Sequence, residues 1–403
     1  MHGFLPVYVF PMRQFFIFMS LWLASAIAAR ASAPATSPTV SSAAVAAPLP
    51  PELQVELNAL AARWHPSATL RASLGWRDNI LLSPFAPIER TFARAELEAM
   101  LLRPMQGKWE FLSFLTGDVL RYFAPPDETS GEQQWALHAE GRWQPVEPLR
   151  LALKGAGYFR DMVVDFSETE ARREVAPTRV QGAYTMAVAR VRLPGGFSLE
   201  PSVQVRRTNY REYSGDYDEL RSGGRLEWER GIAFAVSVAG YESRRDYDTR
   251  PNYSASGRVL PGTRLNFRLR DVEVRVRTGW MRPGGEWSLA ATLGRVENRD
   301  EAFGYFDYDQ DRARLELGWE GVLWRVALDA AAKRTEYRIQ TVGIGIAPPR
   351  RRADDSAATG RVERLLNRHW TLFAEHHWER SRANEREFSY RVNTVLAGVQ
   401  REF

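Results

Sequence analysis

Beyond Pro66 the apolar residues fall on every second position, and they keep doing so to the end of the chain. Trp135, Leu137, Ala139, Gly141 and Trp143 alternate with Gln134, Ala136, His138, Glu140 and Arg142. Val272, Val274 and Val276 alternate with Asp271, Glu273, Arg275 and Arg277, and Ala313, Leu315, Leu317 and Trp319 with Arg312, Arg314, Glu316 and Glu320. Trp324, Val326, Leu328 and Ala330 alternate with Arg325, Asp329 and Lys333. A period of two is the mark of a β-strand, whose side chains point alternately to opposite faces, here one apolar and one polar. A soluble sandwich and a membrane-crossing barrel both satisfy that pattern, so the connections must separate them.

About sixteen such segments fit between residues 66 and 403, and the gaps between them alternate between short and long. Short gaps lie near Pro104–Gly107, Gln144–Pro148, Pro194–Gly196, Arg230–Gly231, Arg282–Glu286, Gly321 and Asn367–Arg368. Long ones lie near Asn79–Arg90, Ala124–Glu132, Asp161–Thr178, Tyr210–Asp218, Arg244–Gly262, Arg299–Tyr305, Ile339–Asp355 and Arg380–Glu387. A sandwich or propeller has no reason to sort its loops by parity. A barrel crossing a membrane does, with short turns on one side, long loops on the other and about ten membrane residues per strand. The expected fold is all-β: an up-and-down transmembrane antiparallel β-barrel of about sixteen strands, both termini at the short-turn end. Only every second residue of such a wall meets lipid, so 44% hydrophobic and 26% charged residues with a mean hydropathy of −0.37 are compatible with it.

Aromatic residues give a separate signal. Trp109, Trp143, Phe197, Trp228, Trp280, Trp287, Trp319, Trp324 and Trp370 crowd the short turns, nearly all in phase with the apolar face. Indole is apolar with a polar tip, and lipid-facing barrels carry such girdles at the membrane interfaces. Tyr and Phe crowd the other strand ends, at Tyr122, Phe123, Tyr158, Phe159, Tyr210, Tyr213, Tyr241, Tyr247, Phe306 and Tyr308, and read as the second girdle.

The chain closes on Phe403, with Val395, Ala397 and Val399 in phase before it. In this design and this ending, residues 66–403 resemble the Gram-negative outer-membrane β-barrels, and most of all the sixteen-stranded porins. The resemblance implies an outer-membrane location with both termini periplasmic, a surrounding of outer-membrane lipid, and Phe403 as the assembly signal read by the barrel-assembly machinery during biogenesis. It also implies a homo-oligomer, since sixteen-stranded porins form trimers. Arg401 stands where that pattern prefers an aromatic or aliphatic residue. Phe388, Tyr390 and Val392 lie on the parity opposite to Phe403, which calls for a bulge or a loop-side extension. The segment Arg299–Arg312, RDEAFGYFDYDQDR, is similar to a stretch of the surface-lipoprotein assembly modifier barrels.

The N-terminal region reads differently. Arg13 precedes the uncharged run Phe15–Ala29, and small residues follow, including Ala29-Arg30-Ala31. That fits a secretory signal peptide over 1–31, the run being shorter than the roughly 20 residues a spanning helix needs. Residues 32–51 are rich in Ala, Ser and Pro and read as a periplasmic linker. Leu53, Leu57, Leu60 and Trp64 stand at helical spacing, which predicts a short amphipathic helix over 52–65, either packed on the barrel or acting as a plug.

If the apolar face meets lipid, the polar face lines the lumen: Glu140, Arg142, Arg150, Lys154, Arg225, Glu227, Glu273, Arg275, Arg277, Arg312, Arg314, Glu316, Arg325, Asp329 and Lys333, with His138, Gln204 and Arg206 among their neighbours. Charges at that density must be paired across strands or wet, because an unpaired dry ion costs several kcal/mol. A sixteen-stranded barrel is wide enough for an aqueous channel. The expectation is a water-filled pore for passive diffusion of small hydrophilic solutes, with a cationic bias and a constriction from Asp161–Thr178 or Arg244–Gly262. The alternatives are a plugged structural, assembly or surface-export barrel and, behind it, a barrel hydrolase. No enzyme is expected: HExxH and Gly-x-Ser-x-Gly are absent, and alternation sends His376 and His377 to opposite faces. No cofactor or metal is expected either. The chain has no cysteine, and in DYDQD the residues Asp307, Asp309 and Asp311 read as a solvated strand end paired with Arg312 and Arg314 rather than a Ca²⁺ loop. A formal net charge of +5 is too mild to imply nucleic acid.

Overall fold

The computed structural model describes residues 64–125, 130–165, 175–211, 215–231, 233–343 and 345–403. The signal, linker and helix expected before residue 64 lie outside the described residues. His65, the last residue of that expected helix, instead opens the first strand.

The strands are β1 (His65–Arg77), β2 (Arg90–Gln106), β3 (Trp109–Tyr122), β4 (Gly131–Val146), β5 (Leu149–Asp165), β6 (Val175–Arg192), β7 (Phe197–Tyr210), β8 (Tyr217–Arg230) and β9 (Phe234–Tyr247). After the loop hairpin β10 (Asn252–Tyr253) and β11 (Val259–Leu260) come β12 (Asn266–Arg282), β13 (Gly285–Asp300), β14 (Tyr308–Glu320), β15 (Trp324–Thr341), β16 (Arg350–Leu365), β17 (Trp370–Ala383) and β18 (Tyr390–Glu402). Apart from β10 and β11, they form one closed antiparallel barrel of sixteen strands in sequence order, and β18 returns to pair with β1.

All seven short gaps read from the sequence are tight connections, such as Gly107–Lys108 between β2 and β3 and Pro283–Gly284 between β12 and β13. Gly107 (φ +63°) and Gly284 (φ +101°) take the left-handed backbone that a hairpin turning with the strand twist requires. Two of the long gaps are shorter than the alternation implied, because β5 continues to Asp165 and β16 begins at Arg350. At that end of the barrel the outward face changes from apolar to charged, as at Arg352 and Asp354, which erases the alternation without ending the strand.

The wall is inside-out relative to a soluble protein. Leu74, Leu137, Leu153, Val203, Val272, Leu293 and Leu328 are among the exposed apolar residues, whereas Glu96, Glu140, Glu219, Asp329, Asp355 and Glu379 are buried. Soluble monomers rarely expose a continuous apolar surface of more than a few hundred Å². A closed barrel, which leaves no backbone edge unpaired, is one of only two structures that can present such a surface to hydrocarbon. The exterior is therefore that of a transmembrane barrel.

At the short-turn end the girdle rings meet in pairs. Trp109 stacks on Trp143 at 5.8 Å, Phe197 meets Trp228 at 6.3 Å, and Trp280, Trp287 and Trp319 run in series at 6.3 Å steps. Arg364 lies over Trp324, and Arg401 over both Trp370 and Phe403, at 4.5 Å from the Phe403 ring. The cation at position 401 thus covers aromatic faces at the membrane edge. Phe403 donates its backbone N–H to Ala68, so the two described ends of the chain lie together at the short-turn end. The β17–β18 register runs without a bulge, and the inverted parity before it has another cause: Tyr390 and Val392 point inward.

Leu328 lies mid-height on this exterior and Ala332 close to its charged edge. Arginine at 328 is expected to lower bilayer folding stability by about 2–4 kcal/mol, and at 332 by about 0–1 kcal/mol, as measured by reversible unfolding from lipid vesicles.

Candidate functional site: the charged inner wall and its inserted loop

All fifteen residues expected to line the interior project to the inner face, opposite the exposed apolar side chains of their strands. Glu140 accepts from Arg142 Nε at 2.7 Å and faces Lys154 Nζ at 3.5 Å, while Arg142 also reaches Glu110 at 3.0 Å. Glu227 faces Arg190 at 3.2 Å and Arg277 at 3.7 Å. Arg275 reaches Glu316 at 2.8 Å, Arg314 lies between Glu316 and Asp329, Arg325 pairs with Glu320, and Lys333 faces Asp355 at 3.4 Å.

Several of these pairs skip a strand. Arg312 on β14 crosses β13 to bond Asp271 at 2.7 Å and Glu273 at 3.0 Å on β12. The residue it crosses is Gly294, where a Cβ would stand 2.6 Å from Arg312 Nε. Tyr158 on β5 likewise lies flat over Gly182 on β6, where a Cβ would come within 2.5 Å of its hydroxyl, and meets Thr208 of β7 at 2.9 Å. A small residue on the middle strand lets a long side chain lie against the wall rather than project into the bore.

Pairing is uneven around the circumference. On β1–β4 and β12–β17 most inward cations hold a carboxylate, including Arg71 with Glu98, Arg94 with Asp118 and Arg361 with Glu363 and Glu375. On β5–β8, Arg150, Arg160, Arg192, Arg206 and Arg225 point inward and form no ion pair among the described residues. Arg150 has only Gln144 Oε1, at 3.4 Å. Arg206 lies 5.7 Å over the Tyr184 ring, and its Nε is buried with no hydrogen-bond partner. The five are spread along the bore, from Arg150 and Arg192 at the short turns, through Arg225 and Arg206, to Arg160 near the loops. At the short-turn mouth a recess of about 180 Å³ is lined by Arg150, Arg190, Arg192, Gln144 and Glu229.

The bore is narrowed by a loop that the sequence marked as long but not as a constriction. In the loop at 78–89, Ile80 and Leu81 are 2% and 0% exposed and form a cluster with the inner-wall residues Phe92, Leu120, Tyr122, Phe373 and Leu396. Asn79 secures the loop by donating to Ser83 O at 2.8 Å and to Arg391 O at 3.2 Å, and its Oδ1 accepts from Ser83 N. Leu82 takes φ +57°, a left-handed conformation that leucine adopts only under constraint. Of the two segments expected to constrict the bore, Asp161–Thr178 is strand at its two ends, in β5 and β6, and its middle, 166–174, lies outside the described residues. The other folds over the mouth: Arg250 sits between the rings of Tyr247 and Phe306, and Tyr253 stacks on Tyr305. Beside that cap, burial raises the carboxyl of Glu385 above its usual range, with Arg351 at 3.1 Å pulling the other way.

The loop-end tyrosines are not a lipid girdle. Tyr122, Tyr158, Tyr210, Tyr241, Tyr247 and Tyr308 stand on the inward parity of their strands, and the guanidinium groups of Arg221 and Arg245 cover Tyr241 and Tyr217 at 4.2 and 4.4 Å. The aspartate run is also differently partnered. Asp309 binds Arg299 and Arg338, Asp311 faces Arg295 at 3.7 Å, and Asp307 accepts from the Asp300 N–H, while Arg312 and Arg314 turn inside. Among the described residues no cluster of three or more potential ligands is arranged for a metal. His377 points inward, 2.8 Å from Thr359 Oγ1, and His376 points outward, both mid-strand rather than at a loop.

No protein-family profile matches the chain, and no curated protein matches its sequence. Solved structures similar in shape include an anion-selective porin from Comamonas acidovorans (9% identity, TM-score 0.43, covering 85% of this chain and 99% of that one). OccAB3 from Acinetobacter baumannii (8%, 0.44, 85% and 99%) and OccK2 from Pseudomonas aeruginosa (10%, 0.42, 84% and 98%) are similar to a comparable extent. At these identities and scores the likeness is one of shape alone.

Truncating Ile80 and Leu81 together to alanine removes two fully buried side chains, a loss of about 2–5 kcal/mol each where the loop cannot collapse. The expected outcome is a loop that opens to protease between Asp78 and Glu89 and a rise in single-channel conductance, with the barrel still closed.

Proposed function

We propose that this chain is an outer-membrane channel of a Gram-negative cell, with its termini and short turns periplasmic, that passes small hydrophilic solutes and prefers anions. The observation that carries the reading is the arc of β5–β8, where Arg150, Arg160, Arg192, Arg206 and Arg225 run along the bore without an ion pair among the described residues; Glu219 and Glu200 stand opposite Arg206 and Arg225 in register but are held by Arg245 and Arg190. Elsewhere on the inner wall most cations hold a carboxylate, so the arc is where inward cations outnumber their carboxylate partners. A guanidinium stays charged at any physiological pH. An anion moving along the arc can exchange one arginine for the next without leaving a compensated environment.

The docked loop at 78–89 supports a second reading, a barrel held mostly shut whose lumen serves as a structural or export element. The two readings part on whether the unmodified chain conducts.

The test is a planar bilayer under a salt gradient. Discrete steps are expected, with a zero-current potential displaced toward the chloride equilibrium. Two charges within several Å of a wet path contribute roughly 0.5 kcal/mol or more each. The double variant Arg206→Gln, Arg225→Gln is therefore expected to lower the anion-to-cation permeability ratio roughly fivefold, less at high salt. An electrically silent barrel, or a cation preference untouched by the double variant, would overturn the proposal.

A further inference from the structure

On the outer surface, at the loop-side edge of the apolar band, Arg380 on β17 stands directly opposite Arg391 on β18. Like charges directly opposite on neighbouring antiparallel strands are destabilising, and here nothing offsets them. Arg380, Arg382 and Arg391 are exposed, and among the described residues none of the three has an ion-pair or hydrogen-bond partner for its side chain. Their neighbour Asp354, opposite Arg382 in register, is already engaged by Arg334 at 2.8 Å and Arg352 at 2.8 Å. Other arginines of this charged rim are differently arranged: Arg268 is held by Glu242, Arg299 by Asp309 and Arg338 by Asp309.

Their height fixes what meets them. Down the outward face of β17 below Arg380 come Trp378, His376, Ala374 and Leu372, ending at Trp370 in the short-turn girdle. From Trp370 to Trp378 is about 27 Å along a strand at ~3.4 Å per residue, which a tilt of ~40° reduces to about 21 Å of height, so an apolar band of about 25 Å ends between Trp378 and Arg380. Trp378 is therefore the loop-side interface residue of this strand, and the arginines begin one step beyond it, at headgroup depth. Guanidinium binds phosphate oxygens through two parallel N–H donors.

We infer that Arg380, Arg382 and Arg391 form a docking surface for the phosphate of a phosphorylated lipid headgroup in the loop-side leaflet. The phosphate oxygens supply the acceptors that the protein leaves out, and they relieve the Arg380–Arg391 repulsion. The inference requires only that the barrel sits in a bilayer. It does not depend on the channel reading, so a barrel that fails to conduct leaves it standing.

The test is native mass spectrometry of the full chain released from detergent after incubation with phosphatidylglycerol, lipid A bearing its phosphates, or an uncharged diacylglycerol. The wild-type chain is expected to retain the phosphorylated lipids and not the uncharged one. The variant Arg380→Gln, Arg391→Gln is expected to lose them, with at least a tenfold drop in the bound-to-free ratio. Arg268→Gln, on the paired part of the rim, serves as the matched control and is expected to retain them. Inorganic phosphate at the same concentration is included as a competitor, and failure to displace the lipid is expected because the acyl chains anchor it. Equal retention by the double variant, equal retention of the uncharged lipid, or full displacement by inorganic phosphate would overturn the assignment.

Discussion

An unpaired backbone amide in hydrocarbon costs several kcal/mol, so the seam between β1 and β18 governs everything else in this molecule. Thr69 opposite Glu402 through Arg77 opposite Thr394 close the last edge, and the barrel is left with no open sheet edge. Only then can the apolar half of each strand face outward at no backbone cost. Closure also forces the polar half of sixteen strands into one bore, which creates the electrostatic problem that the inner wall solves.

The solution is geometric. Long cations lie flat along the wall to carboxylates one or two strands away, and glycine at Gly294 and Gly182 clears the strand beneath. Arginine suits this role because its planar fork holds a carboxylate while its stem lies against the sheet. That accounts for part of a composition in which only Lys108, Lys154 and Lys333 among 54 basic residues are lysine. The arc of β5–β8 departs from the scheme. Its arginines that form no ion pair among the described residues are costly to fold and are tolerable where water or an anion reaches them.

Much of this was legible in the chain. Alternation gave the strands, and loop parity gave both their number and the end at which the termini lie, because turn length and side-chain period are local properties. The loop-end tyrosines were misplaced by position alone. Tyr122 has the parity opposite to Trp109 on β3, and Tyr308 opposite to Leu315 on β14, so phase within the strand held the information. The docking of Ile80 and Leu81 had no local signal, since their partners Phe373 and Leu396 lie some three hundred positions away in sequence. The pairing of Arg312 with Asp271 was hidden in the same way, as was the lack of an ion pair, among the described residues, at Arg206 and Arg225. Ion pairs that skip a strand depend on which neighbour is small, a property of the register between strands rather than of any one of them.

The central claim is that each strand has one wet face and one lipid face, and the cysteine-free chain allows a direct test. Single cysteines placed in turn at the consecutive positions Val272, Glu273, Val274, Arg275, Val276 and Arg277 of β12 can be challenged in lipid vesicles with a charged, water-soluble maleimide. The account predicts labelling at 273, 275 and 277 and protection at 272, 274 and 276. Uniform labelling, or labelling in the opposite phase, would contradict it.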